Sequence, residues 1–415
     1  PAKAEAEWPG FRGAERRGEQ PGVVLEEDWL QSPPQEIWRV RVGPGWSSFT
    51  VAGDRLFTQE QRGDQEVVVC YHASDGGEWW VHQDESRFFE VVGGTGPRAT
   101  PTLSEGKLYT LGANGLLNCL DPLTGDLVWQ RDIRDDADRD PPVWGFASSP
   151  LVTHGVAIVH AGGADDKGLL AYDKESGELR WTAAAGNDSY SSPQLSQVDG
   201  KECVLMLTNT GVVFVEPSDG SSLGEHESLF AGYRVVQPLM FDSTSVLIGT
   251  PMGTGTERVD VRWNGEGFDT EERWNTIGMS PYFNDYVVHD GFLYGIDKNI
   301  FACVDLRDGE RKWKRGRYGN GQVLLLPSGG QLLVTTEKGE LVLVSATPEK
   351  HVELARYPVF DARTWNHPVL VGNRLYVRNG EEAVCLEMPV VSMPETPTPE
   401  SDADASALQS DAADS

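Results

Sequence analysis

Apolar and polar positions alternate along most of this chain in short runs, and the runs return in a fixed order. Leu108-Tyr109-Thr110-Leu111 and Leu375-Tyr376-Val377 are two of them, each led in by a tight turn at Gly106-Lys107 or Gly372-Asn373. Alternation of this length, punctuated by Gly, Asn and Asp, predicts half-buried strands rather than helices. Asn114-Gly115, Lys338-Gly339 and Asn379-Gly380 follow such runs and predict hairpins.

Two longer phrases frame each hairpin. Cys119-Leu120-Asp121-Pro122-Leu123-Thr124-Gly125-Asp126-Leu127-Val128-Trp129 reappears as 170–181 and again as 303–313, with a worn copy from Cys70 through Gly76 to Trp80. In each, an apolar strand ends in Asp, a turn follows with Gly, and Trp comes four residues later. The second phrase is Ser148-Ser149-Pro150-Leu151, matched by Ser191-Ser192-Pro193-Gln194. Weaker matches are Thr100-Pro101, Met279-Ser280-Pro281-Tyr282 and His367-Pro368. One period, about 45 residues, therefore spells four short strands, the unit of a propeller blade.

Fourth strands count the blades. Trp38, Trp80, Trp129, Trp181, Trp274 and Trp313 mark six, and Gly224 and Glu353 stand at two degenerate equivalents, giving eight. Glu36-Ile37-Trp38-Arg39-Val40 has no strands of its own blade ahead of it, and 366–386 has no fourth strand behind it. The N-terminal strand is thus expected to complete the C-terminal blade and leave no open edge. The predicted fold is all-β: an eight-bladed propeller over 36–388, preceded by an extension (1–35) and followed by a tail (389–415). The Asp, Gly and Trp have structural duties: the Asp caps the turn, the Gly takes a positive φ, and the Trp ring packs against the next blade.

The Asp-x-x-Thr-Gly-x-x-x-Trp phrase resembles the tryptophan-docking repeat of the pyrroloquinoline-quinone-like propellers. That superfamily includes quinoprotein alcohol dehydrogenases and the propeller lipoprotein of the outer-membrane β-barrel assembly machinery. Trp8-Pro9-Gly10-Phe11-Arg12-Gly13 is similar to an opening found among its bacterial envelope members. The resemblance spans Trp8 to about Met388 and implies fold more strongly than function. It implies for the enzyme branch two adjacent cysteines and a calcium-binding Glu, Asn and Asp set. No Cys-Cys pair occurs in this sequence, and the acidic set has no counterpart that can be mapped. Haem-attachment, zinc-protease and phosphate-loop motifs are absent as well.

Charge and cysteine content narrow the choice of partners. With 35 basic and 64 acidic residues the net charge is −29, and the six acids beyond Met388 leave −23 on the propeller. Such a field repels phosphate backbones, so nucleic acid is not an expected partner. Cys70, Cys119, Cys303 and Cys385 occupy one third-strand position in four blades, too far apart to pair, and are expected as small buried apolar residues. No apolar run approaches the ~20 residues of a membrane helix. Pro1 to Glu7 reads as the remnant left after a signal peptide, and the Pro-, Ser- and Asp-rich tail as disordered.

The loops leading into the first strands surround the central funnel. Aligned on the Ser-Ser-Pro phrase, they bring Trp46, Arg98, Phe146, Tyr190, Arg234, Trp365 and His367 to one face. Two arginines among aromatics could hold an anionic planar ligand. Alternatively, these side chains plug the channel and pair with local acids. Asp136, Asp138 and Asp140 alternate as calcium ligands do, but Pro141 and Ala147 break the EF-hand pattern, and a solvated acidic loop is the competing reading. The insertion from Gln83 to Gly96 carries Phe88, Phe89, Val91 and Val92, an apolar group expected to cover the rim or to meet a partner.

Together these features predict a non-catalytic, monomeric cell-envelope or periplasmic propeller that presents its loops to a protein partner, without a cofactor. The alternatives are a quinoprotein oxidoreductase using pyrroloquinoline quinone and calcium in the funnel, and a carbohydrate binder using the funnel aromatics.

Overall fold

The computed structural model describes residues 7–228, 234–251 and 254–391, and in it the chain closes into eight four-stranded antiparallel blades. Seven are contiguous in sequence: 50–84, 102–132, 151–183, 194–227, 239–276, 287–314 and 322–358. The eighth combines Val369–Val371, Arg374–Arg378 and Glu382–Glu387 with Gln35–Arg41 from the N-terminal side. Trp38 lies opposite Cys385 in that pairing, so the ends of the chain clasp the ring and no blade is left short of its fourth strand, although the fourth strands themselves remain solvent-facing edges.

Burial follows strand order. Second and third strands are sandwiched between neighbouring blades and read as continuous apolar runs, such as Val67-Val68-Val69-Cys70-Tyr71. Fourth strands face solvent, and in Gln35–Arg41 and Leu127–Asp132 the Trp is the one fully buried residue. The Trp ring lies on the turn glycine of the next blade. A Cβ at Gly125 would approach Trp80 to 2.5 Å, and one at Gly177 would approach Trp129 to 2.7 Å. Both glycines have φ above +70°, so the turn needs glycine for conformation and for space.

The indole N–H completes five of the joints. Trp38 donates to Ala73 O (2.9 Å), Trp80 to Pro122 O (3.1 Å), Trp129 to Lys174 O (3.1 Å), Trp274 to Leu306 O (3.0 Å) and Trp313 to Thr347 O (2.9 Å). Trp181 packs over Gly220 in the same way, but its buried N–H has no protein partner. The Asp of the phrase accepts turn N–H groups: Asp121 from Leu123 and Asp173 from Glu175 and Ser176. At the degenerate fourth blade, Phe268 packs on Phe214 (4.9 Å) and lies against Gly224, filling the gap left by the missing Trp. The five cysteines are free and buried, and burial pushes the thiols of Cys70 and Cys119 up to about 12.

The N-terminal extension is part of the propeller rather than an appendage. Trp8 bridges Val51 of blade one, Pro9 O accepts from Leu103 N of blade two, and Gly18 and Gln20 exchange hydrogen bonds with Leu325 of blade seven. The segment thus straps across the channel on the side of the first hairpins. Two buried arginines pin it. Arg16 donates to the carbonyls of Ser149, Pro150 and Pro193, and burial without a carboxylate lowers its pKa to about 9. Arg12 pairs with Asp285 (3.0 Å) and donates to Tyr286 O (2.8 Å). The expected tail beyond 391 lies outside the described residues.

Candidate functional site

A belt of hydrogen bonds sets the geometry of the funnel. The backbone N–H of Ser48 donates to Thr100 Oγ1 (3.0 Å), that of Thr100 to Ser149 Oγ (3.0 Å), and that of Ser149 to Ser192 Oγ (2.9 Å). Ser192 N–H donates to Gln237 Oε1 and Gln237 N–H to Asp285 Oδ1, both at 2.7 Å. Asn284 to Gly321 O, Gln322 to Trp365 O and Asn366 to Ser47 O complete the circuit through their side-chain amides. The Ser of the Ser-Ser-Pro phrase is therefore a blade-to-blade link. The belt also corrects one alignment: the sixth blade's link is Asp285, five residues after Ser280. Ser280 instead hydrogen-bonds the side chain of Asp297.

Position in the belt decides which side chains face the axis. The lead-in segments are extended, so alternate residues point in opposite directions. The residues two before the links at 48, 100, 149, 192, 237 and 285 are Trp46, Arg98, Ala147, Tyr190, Val235 and Phe283, and Trp365 stands two before His367, whose carbonyl accepts from the Ser48 hydroxyl. All seven line one central cavity of about 170 Å³. Phe146 and Arg234 stand one residue out of this register and do not line it. Phe146 is buried between blades two and three, and Arg234 is buried with its guanidinium donating to Asn209 O. Of the seven expected funnel residues, the structure brings together Trp46, Arg98, Tyr190, Trp365 and His367.

The walls are aromatic. Trp46 and Trp365 lie 4.8 Å apart, Phe283 meets Trp365 edge-on at 4.8 Å, and Trp144 packs on Tyr190 at 5.0 Å. Phe11 of the strap forms part of the floor and meets His367 edge-on. Beneath it Asp285 sits between Arg12 and His367 (3.4 Å). Burial raises the Asp285 carboxyl and holds the His367 imidazole well below its ordinary value, neutral at pH 7.

The insertion Gln83 to Gly96 covers the mouth of this cavity, not the outer rim. Its hairpin pairs Phe89–Glu90 with Gly94–Thr95, and Glu90, Val92 and Gly93 line the cavity. Trp46 Nε1 donates to Gly93 O (2.7 Å), and Arg363 donates to Val92 O (3.2 Å). Arg98 is committed to this lid. It pairs with Glu90 (3.1 Å), donates to Gly94 O and Gly96 O, and lies over the Phe88 ring. Its guanidinium is thus spent inside the lid instead of being offered to an anion. Phe88 is buried, whereas Phe89 and Val91 are exposed and Val92 is half exposed at the cavity mouth.

The acidic run lies elsewhere. Asp136 pairs with Arg131 (3.2 Å) and accepts from the Tyr172 hydroxyl (2.9 Å), and Asp138 ends the short helix Ile133–Ala137 at φ +53°. Asp140 accepts from Arg139 through its backbone carbonyl, and Asp166 accepts from Thr182. Among the described residues no group of three His, Cys, Asp or Glu is placed to hold a metal ion.

A closed ring of eight blades, six of them carrying a docked tryptophan, around a lidded aromatic funnel defines the class of eight-bladed propellers with pyrroloquinoline-quinone-like repeats. Within it, this chain belongs to the family described as outer membrane protein assembly factor BamB, which it matches over residues 85–315, more than half of its length. The BamB of Yersinia pestis is 21% identical over 342 residues, covering 78% of this chain and 73% of the relative. That of Alteromonas naphthalenivorans is 25% identical over 54% of this chain and 56% of its own length. Quinohemoprotein alcohol dehydrogenase ADH-IIG of Pseudomonas putida is 32% identical over 129 residues, 29% of this chain and 17% of the enzyme. The fold is shared with the crystal structure of BamB from Moraxella catarrhalis (TM-score 0.57, 13% identity, 86% of this chain and 98% of that one). It is shared equally with the Pseudomonas putida dehydrogenase (TM-score 0.63, 12% identity, 95% and 82%).

Proposed function

We propose that this protein is a non-catalytic propeller of the cell envelope that acts as a protein-interaction scaffold in outer-membrane protein assembly. The observation that carries the reading is the family match over 85–315, to which the make-up of the funnel adds support. The protein's own strap crosses the channel, and the lid occupies Arg98. The faces left for a partner are the exposed lid hairpin and the loops beside it, where Phe89, Val91 and Val143 are all more than half exposed. A protein partner suits such surfaces, and the acidic field disfavours nucleic acid. Among the described residues no helix is long and apolar enough to cross a membrane.

The quinoprotein reading has the local 32% match in its favour. The lining opposes it. A calcium ion needs six to eight oxygen ligands, whereas Glu90 and Asp285 are the carboxylates of the cavity and each is paired with an arginine. Titration of the purified chain with pyrroloquinoline quinone, with and without calcium, separates the two readings. A ligand that prefers the native state must raise the melting temperature. We expect no shift. Saturable, calcium-dependent stabilisation would replace the scaffold reading with oxidoreductase chemistry.

A further inference from the structure

We propose that the funnel cavity binds a neutral hydroxylated ring, a pyranose sugar unit, independently of any protein docked on the lid. Three features of the lining lead there. The first is charge. Arg98 is matched by Glu90 and Asp285 by Arg12, with His367 neutral beside it. A charged ligand would lose its hydration without meeting a free counter-charge.

The second is the aromatic surface. Trp46, Trp365, Tyr282, Phe283, Trp144 and Tyr190 line a space of about 170 Å³, the size of a single ring. They come from five different blades or lead-in loops and stand outside the docking joints that hold the ring together.

The third is a pair of unpartnered amides. Gln237 and Gln322 both line the cavity and are about 2% exposed or less. Gln237 Oε1 accepts the Ser192 N–H and Gln322 Nε2 donates to Trp365 O, which fixes both amide orientations. The remaining atoms, Gln237 Nε2 and Gln322 Oε1, are buried without a protein partner. Buried polar atoms are rarely left so. One is a donor and the other an acceptor, both held in the wall of the cavity at the starts of blades five and seven. A sugar ring suits this arrangement because each hydroxyl both donates and accepts, while its C–H faces lie flat on aromatic rings.

The test is a titration of the full chain with the methyl pyranosides of glucose, galactose and mannose, followed by tryptophan fluorescence and saturation-transfer NMR. Glucuronate and glucosamine serve as charged counterparts, and N-acetyl-tryptophanamide as a neutral aromatic that is not a sugar. We expect saturable binding of at least one neutral pyranoside and at least about tenfold weaker binding of its charged counterparts. Gln237→Glu keeps the belt oxygen but removes the amide donor, and should weaken binding about tenfold. Tyr282→Ala, which removes a side chain that takes no part in the belt's hydrogen bonds, should weaken it likewise without moving the melting temperature. Absence of saturation for all three pyranosides would overturn the proposal. So would equal binding of the charged sugars, preference for the tryptophan amide, or unchanged affinity in a folded Tyr282→Ala protein. None of these outcomes touches the scaffold reading, which rests on the family match over 85–315.

Discussion

Tryptophan is used twice in this molecule, in two different ways. At the outside of the ring, Trp38, Trp80, Trp129, Trp181, Trp274 and Trp313 recur at one position in the repeat, each lying on a neighbour's turn. At the centre, Trp46 and Trp365 stand at a position that other blades fill with Arg98, Ala147, Tyr190, Val235 and Phe283, and together with Trp144 they lie against the cavity and its lid. The outer set sits where eight-fold repetition demands the same joint each time. The inner set sits where the blades converge on a single asymmetric space. Repetition therefore marks what holds the ring together, and departure from repetition marks where the molecule can do something particular.

The largest effect should separate the two sets. Trp129→Ala removes a buried ring and its interblade hydrogen bond and should cost about 3–5 kcal/mol in urea unfolding, whereas Tyr282→Ala should cost less than about 1 kcal/mol. Similar losses for both would erase the distinction between joint and cavity.

A pH-dependent clasp on the funnel face comes next. Glu66 accepts from the Ala113 N–H of the next blade, and burial raises its carboxyl to about 7. Between about pH 4.5 and 7 the folded chain retains a proton that the unfolded chain releases. Its contribution to stability is thus full below that window and is lost as pH rises through it, by about 1.4 kcal/mol per pH unit. The stability difference between wild type and Glu66→Gln should accordingly change between pH 5 and 7. A difference that stays constant would place the titration elsewhere.

Within the outer set, Trp129→Phe forfeits a hydrogen bond that Trp181→Phe does not, because the Trp181 N–H has no protein partner. Trp129→Phe should be the more destabilising by about 1 kcal/mol. The smallest effect belongs to the lid surface. Phe89→Ser should leave stability within about 0.5 kcal/mol of wild type, since the side chain is 62% exposed, while weakening capture of a protein partner.

Much of the ring was legible in the sequence because its joints are stereotyped. A turn that needs positive φ and room for an indole admits little but Gly, so Asp, Gly and Trp return at fixed spacing while the residues between them vary. The funnel was legible only in part. A belt link needs nothing more than an acceptor at the right place, and Ser, Thr, Gln and Asp all supply one. Without Ser-Pro at Asp285 the sixth blade slipped by five residues, which hid Phe283. At Phe146 and Arg234 a one-residue error turned outward-facing side chains into expected lining, since an extended chain reverses direction at every residue. The strap was visible as Trp-Pro-Gly-Phe-Arg-Gly, but its path across the channel depends on Arg12 and Arg16 meeting backbone carbonyls and Asp285 far away in sequence. Gaps of that kind leave no local pattern.

The most direct test of the scaffold reading is the amount of folded, heat-modifiable β-barrel protein in the outer membrane of cells that make this chain and of cells that lack it. We expect the folded barrels to fall when the chain is absent and to recover equally with wild type and with the Tyr282→Ala cavity variant. Undiminished barrel assembly in its absence would contradict the proposed role.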